Sequence, residues 1–157
     1  MKSVKIGATG VSKAELSDGR LQHAAHIQTI DIFKSSSRTR SGGMEFNFRD
    51  SYKFNVAAYR VDRLINLNML PVSVERKFGG KSASVTWWID DVLMMEGGRF
   101  KKKIEPPNRA LWNDQMQNAR VFNELVYNTD ANLGNVLITK DGQVALTCPH
   151  KLYHFLS

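Results

Sequence analysis

The stretch Val126-Tyr127-Asn128-Thr129-Asp130-Ala131-Asn132-Leu133-Gly134-Asn135-Val136-Leu137-Ile138 decides the fold. It places Asp130 five residues before Asn135, and Gly134 adjoins that asparagine. An apolar, strand-like run begins directly afterwards. The stretch therefore predicts a loop, carrying a carboxylate and an amide, that leads into a β-strand.

Length and composition bound the class of protein. The chain has 157 residues, of which 42% are hydrophobic and 24% are charged, and its net charge is +7. This is the composition of an ordinary globular protein with one domain or two small lobes. A single cysteine, Cys148, excludes an intramolecular disulfide and a cysteine-based zinc site, so we expect a cytoplasmic protein. No apolar run approaches the ~20 residues that would span a bilayer, and Met1–Gly7 does not resemble a signal peptide.

The first half of the chain predicts strands around one helix. The segment from His23 to Phe33 reads as a strand that ends at Lys34, and Ser35–Gly43 reads as a polar loop. Asp50 or Ser51 is expected to cap a helix that ends near residues 66–68. Its apolar face is opposed by a polar face with four charged residues, Lys53, Arg60, Asp62 and Arg63.

Turn signals organise the remainder of the chain. Gly79-Gly80 predicts a hairpin between a strand at residues 72–78 and a partner at 82–89. Gly97-Gly98 and Pro106-Pro107 bracket a stretch that we expect to be a basic linker. Residues 108–126 have helical spacing, and a second hairpin turns at residues 140–142.

This order of elements predicts an α+β chain in two lobes. We expect an N-terminal lobe at residues 1–97, with a sheet and one helix. We expect a partial C-terminal lobe at residues 98–157, with the Asp130 loop and a hairpin.

Several segments resemble the atypical kinase-like families related to phosphatidylinositol kinases and HipA-type bacterial kinases, and more narrowly uncharacterised bacterial proteins with such a domain. The resemblance covers most of the chain up to about Leu146. It is found in Leu16–Gly19, His23–Thr29, Ala57–Leu64, Leu70–Arg76 and Asn128–Asp130, and the Asp130–Asn135 loop with its hairpin is the most specific part. It implies a two-lobed protein-kinase-like fold whose second lobe is incomplete, and phosphotransfer from ATP with Mg²⁺.

The resemblance assigns roles to single residues. Asp130 would be the catalytic carboxylate, which orients the hydroxyl that accepts the phosphoryl group, and Asn135 would be a metal ligand. Lys34 would lie over the nucleotide phosphates, with Asn55 at the helix position that often supplies its acidic partner. The Trp87–Met95 region would connect the lobes and contact adenine.

Three departures bear on activity. Asn55 cannot neutralise a lysine, and Ala131 follows Asp130 where arginine is common. The strand that should run into a metal-binding aspartate continues as Thr147-Cys148-Pro149-His150, and the chain stops soon afterwards. Because positioning and electrostatics supply nearly all the rate of phosphoryl transfer, we expect weak or absent activity, as in a pseudokinase.

Other interpretations remain open from the sequence. Asp130 and Asn135 are also typical of a plain turn, and Lys34 of a surface lysine. The chain could be a non-catalytic module that binds a protein or an acidic ligand through its basic surface, with nucleic acid as a less favoured partner. It could also be a fragment that self-associates through an incomplete lobe. The phosphate acceptor is not indicated.

Overall fold

The computed structural model describes residues 3–5, 11–38, 42–128 and 131–147. Over these residues the chain is a mixed α+β structure with three antiparallel sheets, which confirms the α+β class. None of the helices described there is long and apolar enough to cross a membrane. In chain order the elements are β1 Ser3–Lys5, β2 Val11–Ser17, β3 Gln22–Gln28, β4 Asp31–Arg38, β5 Met44–Ser51, α1 Tyr52–Leu64, β6 Ser73–Phe78, β7 Lys81–Trp87, β8 Val92–Met95, α2 Glu96–Lys102, α3 Arg109–Leu125, the 3₁₀ turn Leu133–Asn135, β9 Val136–Thr139 and β10 Val144–Leu146.

A five-stranded sheet forms the first part of the molecule, in the order β1-β2-β3-β7-β6. Strands β6 and β7 are joined at Gly79 and Gly80, whose φ angles are +55° and +80°. Left-handed angles at both positions are favoured by glycine and match the twist of a two-residue hairpin, so the predicted turn is confirmed. Small buried side chains form the core of this sheet around one larger residue, Ile27.

Helix α1 begins where the sequence predicts it. The Ser51 hydroxyl accepts a hydrogen bond from the backbone N–H of Lys53 at 3.3 Å, and the helix runs from Tyr52 to Leu64. The predicted polar face is wrong at Asp62, which is fully buried. Its Oδ1 accepts from the backbone N–H of Met69 at 2.9 Å, so this carboxylate holds the segment after the helix instead of facing water.

The larger hydrophobic core joins both halves of the chain. It combines Ala58 of α1, the Met69–Leu70 segment, Phe122 and its neighbours on α3, and apolar residues of β9 and β10. Helix α3 lies within the predicted residues 108–126, and it begins after its cap Asn108, whose side chain accepts from Leu111 N at 3.1 Å. Strand β8 pairs with β9 although the predicted boundary at residues 97 and 98 lies between them. The two-lobe division stays a prediction.

Helix α2, Glu96–Lys102, includes the first part of the stretch between Gly97-Gly98 and Pro106-Pro107 that was predicted as a basic linker. Glu96 is buried and accepts two hydrogen bonds from the Arg99 guanidinium, both at 2.7 Å. Trp112 donates to the same carboxylate at 3.2 Å, and Arg99 lies over its ring, 4.7 Å from the centroid. This tertiary cluster outweighs the low helix propensity of Gly97 and Gly98.

The first predicted strand is divided into two strands, and the loop predicted after it is wrong. The chain leaves the five-stranded sheet after Gln28, and β4 continues through Lys34 to Arg38. Strand β5 pairs with β4 along its length, with Lys34 opposite Phe48. Residues 35–38 therefore belong to a hairpin whose second strand the sequence pattern did not reveal. Residues 39–41 lie outside the described part of the chain.

Candidate functional site

A cleft of about 780 Å³ opens between the five-stranded sheet and the three-stranded sheet. One wall comes from β2, β3 and β7, and the other from β8, β9 and the 3₁₀ turn. Residues 88–91 connect the two sheets and line the cleft between them. The lining side chains are mostly apolar or aromatic, and they include Pro71, Trp87, Trp88, Ile89, Val92, Met95 and Leu137.

The connecting segment is fixed at its first end by backbone hydrogen bonds. Trp87 N donates to Val72 O at 2.8 Å, and Trp88 N donates to Ala24 O at 3.1 Å. Within the described residues, no hydrogen bond uses the main-chain N–H or C=O of Ile89 or Asp90. Both residues line the cleft and are at least partly exposed. Their main-chain groups are ones that a ligand could pair with.

Two carboxylates of the segment are held by opposite sides of the cleft. Asp90 Oδ2 lies 2.5 Å from Nε2 of His23, whose ring stacks on Trp87 with 3.7 Å between the centroids. Asp91 Oδ1 lies 3.0 Å from Nζ of Lys140 in the β9–β10 turn. The segment is thus tied to β3 on one side and to the second hairpin on the other.

Lys13 is the cation that lies at the cleft, and the sequence did not single it out. It lies on β2, paired in register with His26 of β3, and both side chains line the cleft. Its ammonium lies 4.2 Å from the centroid of the Trp88 ring. Only the strand register brings Lys13 to this face, and a register cannot be read from an imperfect alternation of residues.

Asn135 is placed as the sequence predicts, at the end of the 3₁₀ turn and directly before β9, and it lines the cleft. The turn begins at Asn132, whose side chain accepts from Gly134 N at 2.9 Å. Thr147, just after β10, donates its backbone N–H to Asn135 O at 2.9 Å and also lines the cleft. Asp130, predicted as the catalytic carboxylate, lies outside the described residues, as do Cys148 and Pro149.

Lys34 and Asn55 do not form the predicted pair. Lys34 is exposed in the middle of β4 and is not among the residues that line the cleft. Asn55 is fully buried, and its amide donates to Gln28 Oε1 at 2.5 Å and to Ser84 Oγ at 2.9 Å. Its Oδ1 has no hydrogen-bond partner among the described residues. The strand residue that pairs with Asn55 is therefore Gln28, which is neutral. Lys34 does not occupy this place, because β3 ends six residues before it.

The described residues do not by themselves supply a coordination shell for Mg²⁺. They contain no cluster of three histidine, cysteine or acidic side chains that could hold a metal ion. The acidic residues that line the cleft, Asp90 and Asp91, are engaged by His23 and Lys140. Asn135 would contribute one amide oxygen, whereas Mg²⁺ in proteins is bound through one or two carboxylates together with phosphate oxygens.

No family model, no curated protein and no solved structure matches this chain.

Proposed function

We propose that the cleft binds an adenine nucleotide, and that the chain is a kinase-like, ATP-binding protein. The observation that supports this most is the connecting segment at residues 88–91, which presents main-chain donors and acceptors of Ile89 and Asp90 beside apolar walls. A purine is a flat aromatic ring with donors and acceptors on its edge. It needs an apolar slot and a few polar groups in fixed places, which is the usual composition of a small-molecule site.

The size of the cleft agrees with this ligand. Its volume of about 780 Å³ lies within the range of roughly 300–1,000 Å³ that is typical for small-molecule pockets. Trp88, in the connecting segment, and Met95, at the end of β8, line the cleft and are suited to contact a base. The base would replace the Lys13 ammonium above the Trp88 ring, which would release Lys13 toward the phosphates.

Lys13 and Asn135 would then face the phosphate groups. An ammonium forms charge-assisted hydrogen bonds with phosphate oxygens, and an amide contributes a further polar contact. Asp130 keeps its predicted role, in which it orients an acceptor hydroxyl for attack on the terminal phosphorus. Mg²⁺ would neutralise phosphate charge when bound, with Asn135 as its ligand among the described residues.

We infer that binding is retained better than phosphoryl transfer. Asn55 of α1 pairs with Gln28 of β3, and both are neutral amides, so no charge from this pair would stabilise the phosphates. At the end of β10, Thr147 and the residues after it replace the expected metal-binding carboxylate. Because transfer depends on charge stabilisation of the transition state, a nucleotide-binding module without efficient catalysis is the second candidate function.

The proposal is tested by calorimetric titration with ATP, with AMP and with adenosine, each with and without Mg²⁺. All three ligands are expected to bind, because the base provides the shared contacts. Lys13→Gln is expected to weaken the binding of ATP roughly tenfold or more, because it removes a charge-assisted contact to phosphate. The affinity for adenosine is expected to stay nearly unchanged. Lys34→Gln is the matched control and is expected to change neither affinity.

Other outcomes would reject the proposal or refine it. An absence of binding heat for every ligand at millimolar concentration would reject nucleotide binding. Equal losses in Lys13→Gln and Lys34→Gln would reject the assignment of Lys13. Phosphoryl transfer is measured separately, as nucleotide hydrolysis. Asp130→Ala should abolish any hydrolysis found without lowering the affinity for adenosine.

A further inference from the structure

The hairpin formed by β4 and β5, residues Asp31–Arg38 and Met44–Ser51, forms a structure that we call the arm. Its strands pair only with each other within the described part of the chain. Its base is fixed to helix α1: Tyr52 N donates to Ile30 O at 2.7 Å, and Lys53 Nζ lies 2.8 Å from Asp31 Oδ2. The arm is therefore a two-stranded ribbon that is held firmly at one end.

Large apolar side chains of the arm are exposed to solvent. Phe46 is 68% exposed, Phe33 is 58% exposed, and Ile32 and Met44 are also exposed. A two-stranded ribbon is only marginally stable alone in water, and such a concentration of exposed apolar surface usually marks an interaction site. The charges beside these side chains indicate which class of partner fits the arm.

Aromatic and basic side chains alternate on one face of the arm. The pairing sets Lys34 opposite Phe48, Ser36 opposite Phe46, and Arg38 opposite Met44. Opposed residues share a face, so Phe46 lies between Lys34 and Arg38, about 7 Å along the strand from each. The other face repeats the combination, because the Arg49 guanidinium lies 5.1 Å from the Phe33 ring centroid.

Two of the three acidic residues of the arm contact residues outside it. Asp31 is paired with Lys53, and Asp50 is buried and accepts a hydrogen bond from Gln28 at 3.3 Å. Glu45 is the third acidic residue of the arm in the sequence. The exposed charge on the face that carries Phe46 is that of Lys34 and Arg38.

We propose that the arm binds single-stranded nucleic acid, with bases stacked on Phe46 and Phe33 and phosphates contacted by Lys34, Arg38 and Arg49. Exposed bases stack on aromatic rings while neighbouring cations follow the backbone, which is how proteins bind single strands without reading sequence. Insertion into a bilayer fits less well, because cations and apolar groups alternate at the same depth on both faces. Pairing of two arms from two copies would set cations of like sign together.

The test is fluorescence anisotropy with a labelled oligo(dT) of about ten nucleotides, a length within the site sizes of single-strand-binding folds. The double variant Lys34→Gln/Arg38→Gln is expected to weaken binding. It should also lower the slope of log affinity against log salt by about 1.4, because each neutralised phosphate of a single strand contributes about 0.7. Phe46→Leu is expected to weaken binding roughly tenfold without a change in slope, because stacking is lost while charge is kept.

The control is Lys77→Gln/Lys81→Gln, which removes the same charge from two exposed lysines of β6 and β7. It is expected to leave both affinity and slope nearly unchanged. An equal effect of the control and the arm variants would overturn the proposal, because binding would then follow net charge alone. Binding to phosphatidylserine vesicles in place of the oligonucleotide would also overturn it, as would an arm-dependent dimer that binds no oligonucleotide. The arm variants should keep the ATP affinity of the wild type, so failure here is distinct from failure of the cleft.

Discussion

At the scale of single residues, a small group of buried polar side chains links helix α1 to the five-stranded sheet. Asn55, Gln28 and Ser84 form hydrogen bonds at positions with no solvent exposure. The resemblance implies that Asn55 is the partner of Lys34, whereas in the structure its amide donates to Gln28 and Ser84. A partner on another strand depends on where β3 ends, which local periodicity does not define.

Asn55→Ala is expected to destabilise the protein by about 2–3 kcal/mol, because it leaves two buried acceptors without their donor. Urea unfolding followed by circular dichroism measures the change. Asn118→Ala, at an exposed position of α3, is the control and should stay within about 0.5 kcal/mol of wild type. Similar values for the two variants would show that the buried amides are not important for stability.

The ion pair at the base of the arm predicts a small pH dependence. The hydrogen bond from Lys53 lowers the pKa of Asp31, with a further contribution from Ser51. A lowered pKa stabilises the folded state above the unfolded value of about 3.9, and this stabilisation is lost as the pH falls through the lower, folded-state value. Because both side chains are about half exposed, the effect is at most about 1 kcal/mol.

Asp31→Asn should therefore be less stable than wild type at pH 7 and equal to it near pH 2. Unfolding free energies at a series of pH values measure this difference. A gap between the two proteins that stays constant down to pH 2 would contradict the pairing.

At the scale of elements, features that depend on adjacent residues could be predicted, and features that depend on contacts between distant residues could not. The Ser51 cap and the Gly79-Gly80 turn could be predicted, because each depends on a few adjacent residues. Helix α2 could not be predicted, because it depends on Glu96 and Arg99 packing with Trp112 from another helix. The β4–β5 pairing was missed because the polar run that begins at Ser35 has no alternation of apolar and polar residues.

Helix α2 ends at Lys103, whose φ of +53° is left-handed. Glycine adopts this conformation without the steric cost of a Cβ atom, so Lys103→Gly should stabilise the protein by about 0.5–1 kcal/mol. Lys101→Gly, inside the helix, removes the same charge and should instead destabilise by up to about 1 kcal/mol. The midpoint of thermal unfolding distinguishes the two, and shifts of the same sign would contradict the assigned end of the helix.

At the scale of the whole molecule, one core links the two sheets and leaves a cleft where they meet. The resemblance implied an inter-lobe connection at residues 87–95; in the structure, residues 88–91 connect the two sheets and line the cleft together with Asn135. The sequence did not indicate Lys13, because the strand register brings that side chain to the cleft. The proposed binding of a nucleotide depends on this long-range arrangement more than on any single motif.

The central claim is that the base of a nucleotide pairs with the main chain of Ile89 and Asp90. Two-dimensional ¹H–¹⁵N correlation spectra recorded during titrations with adenosine and with ribose 5-phosphate test it directly. Adenosine is expected to shift the amide signals of Ile89 and Asp90 in a saturable way, while ribose 5-phosphate leaves them in place. Unchanged signals at both residues with millimolar adenosine would contradict the account.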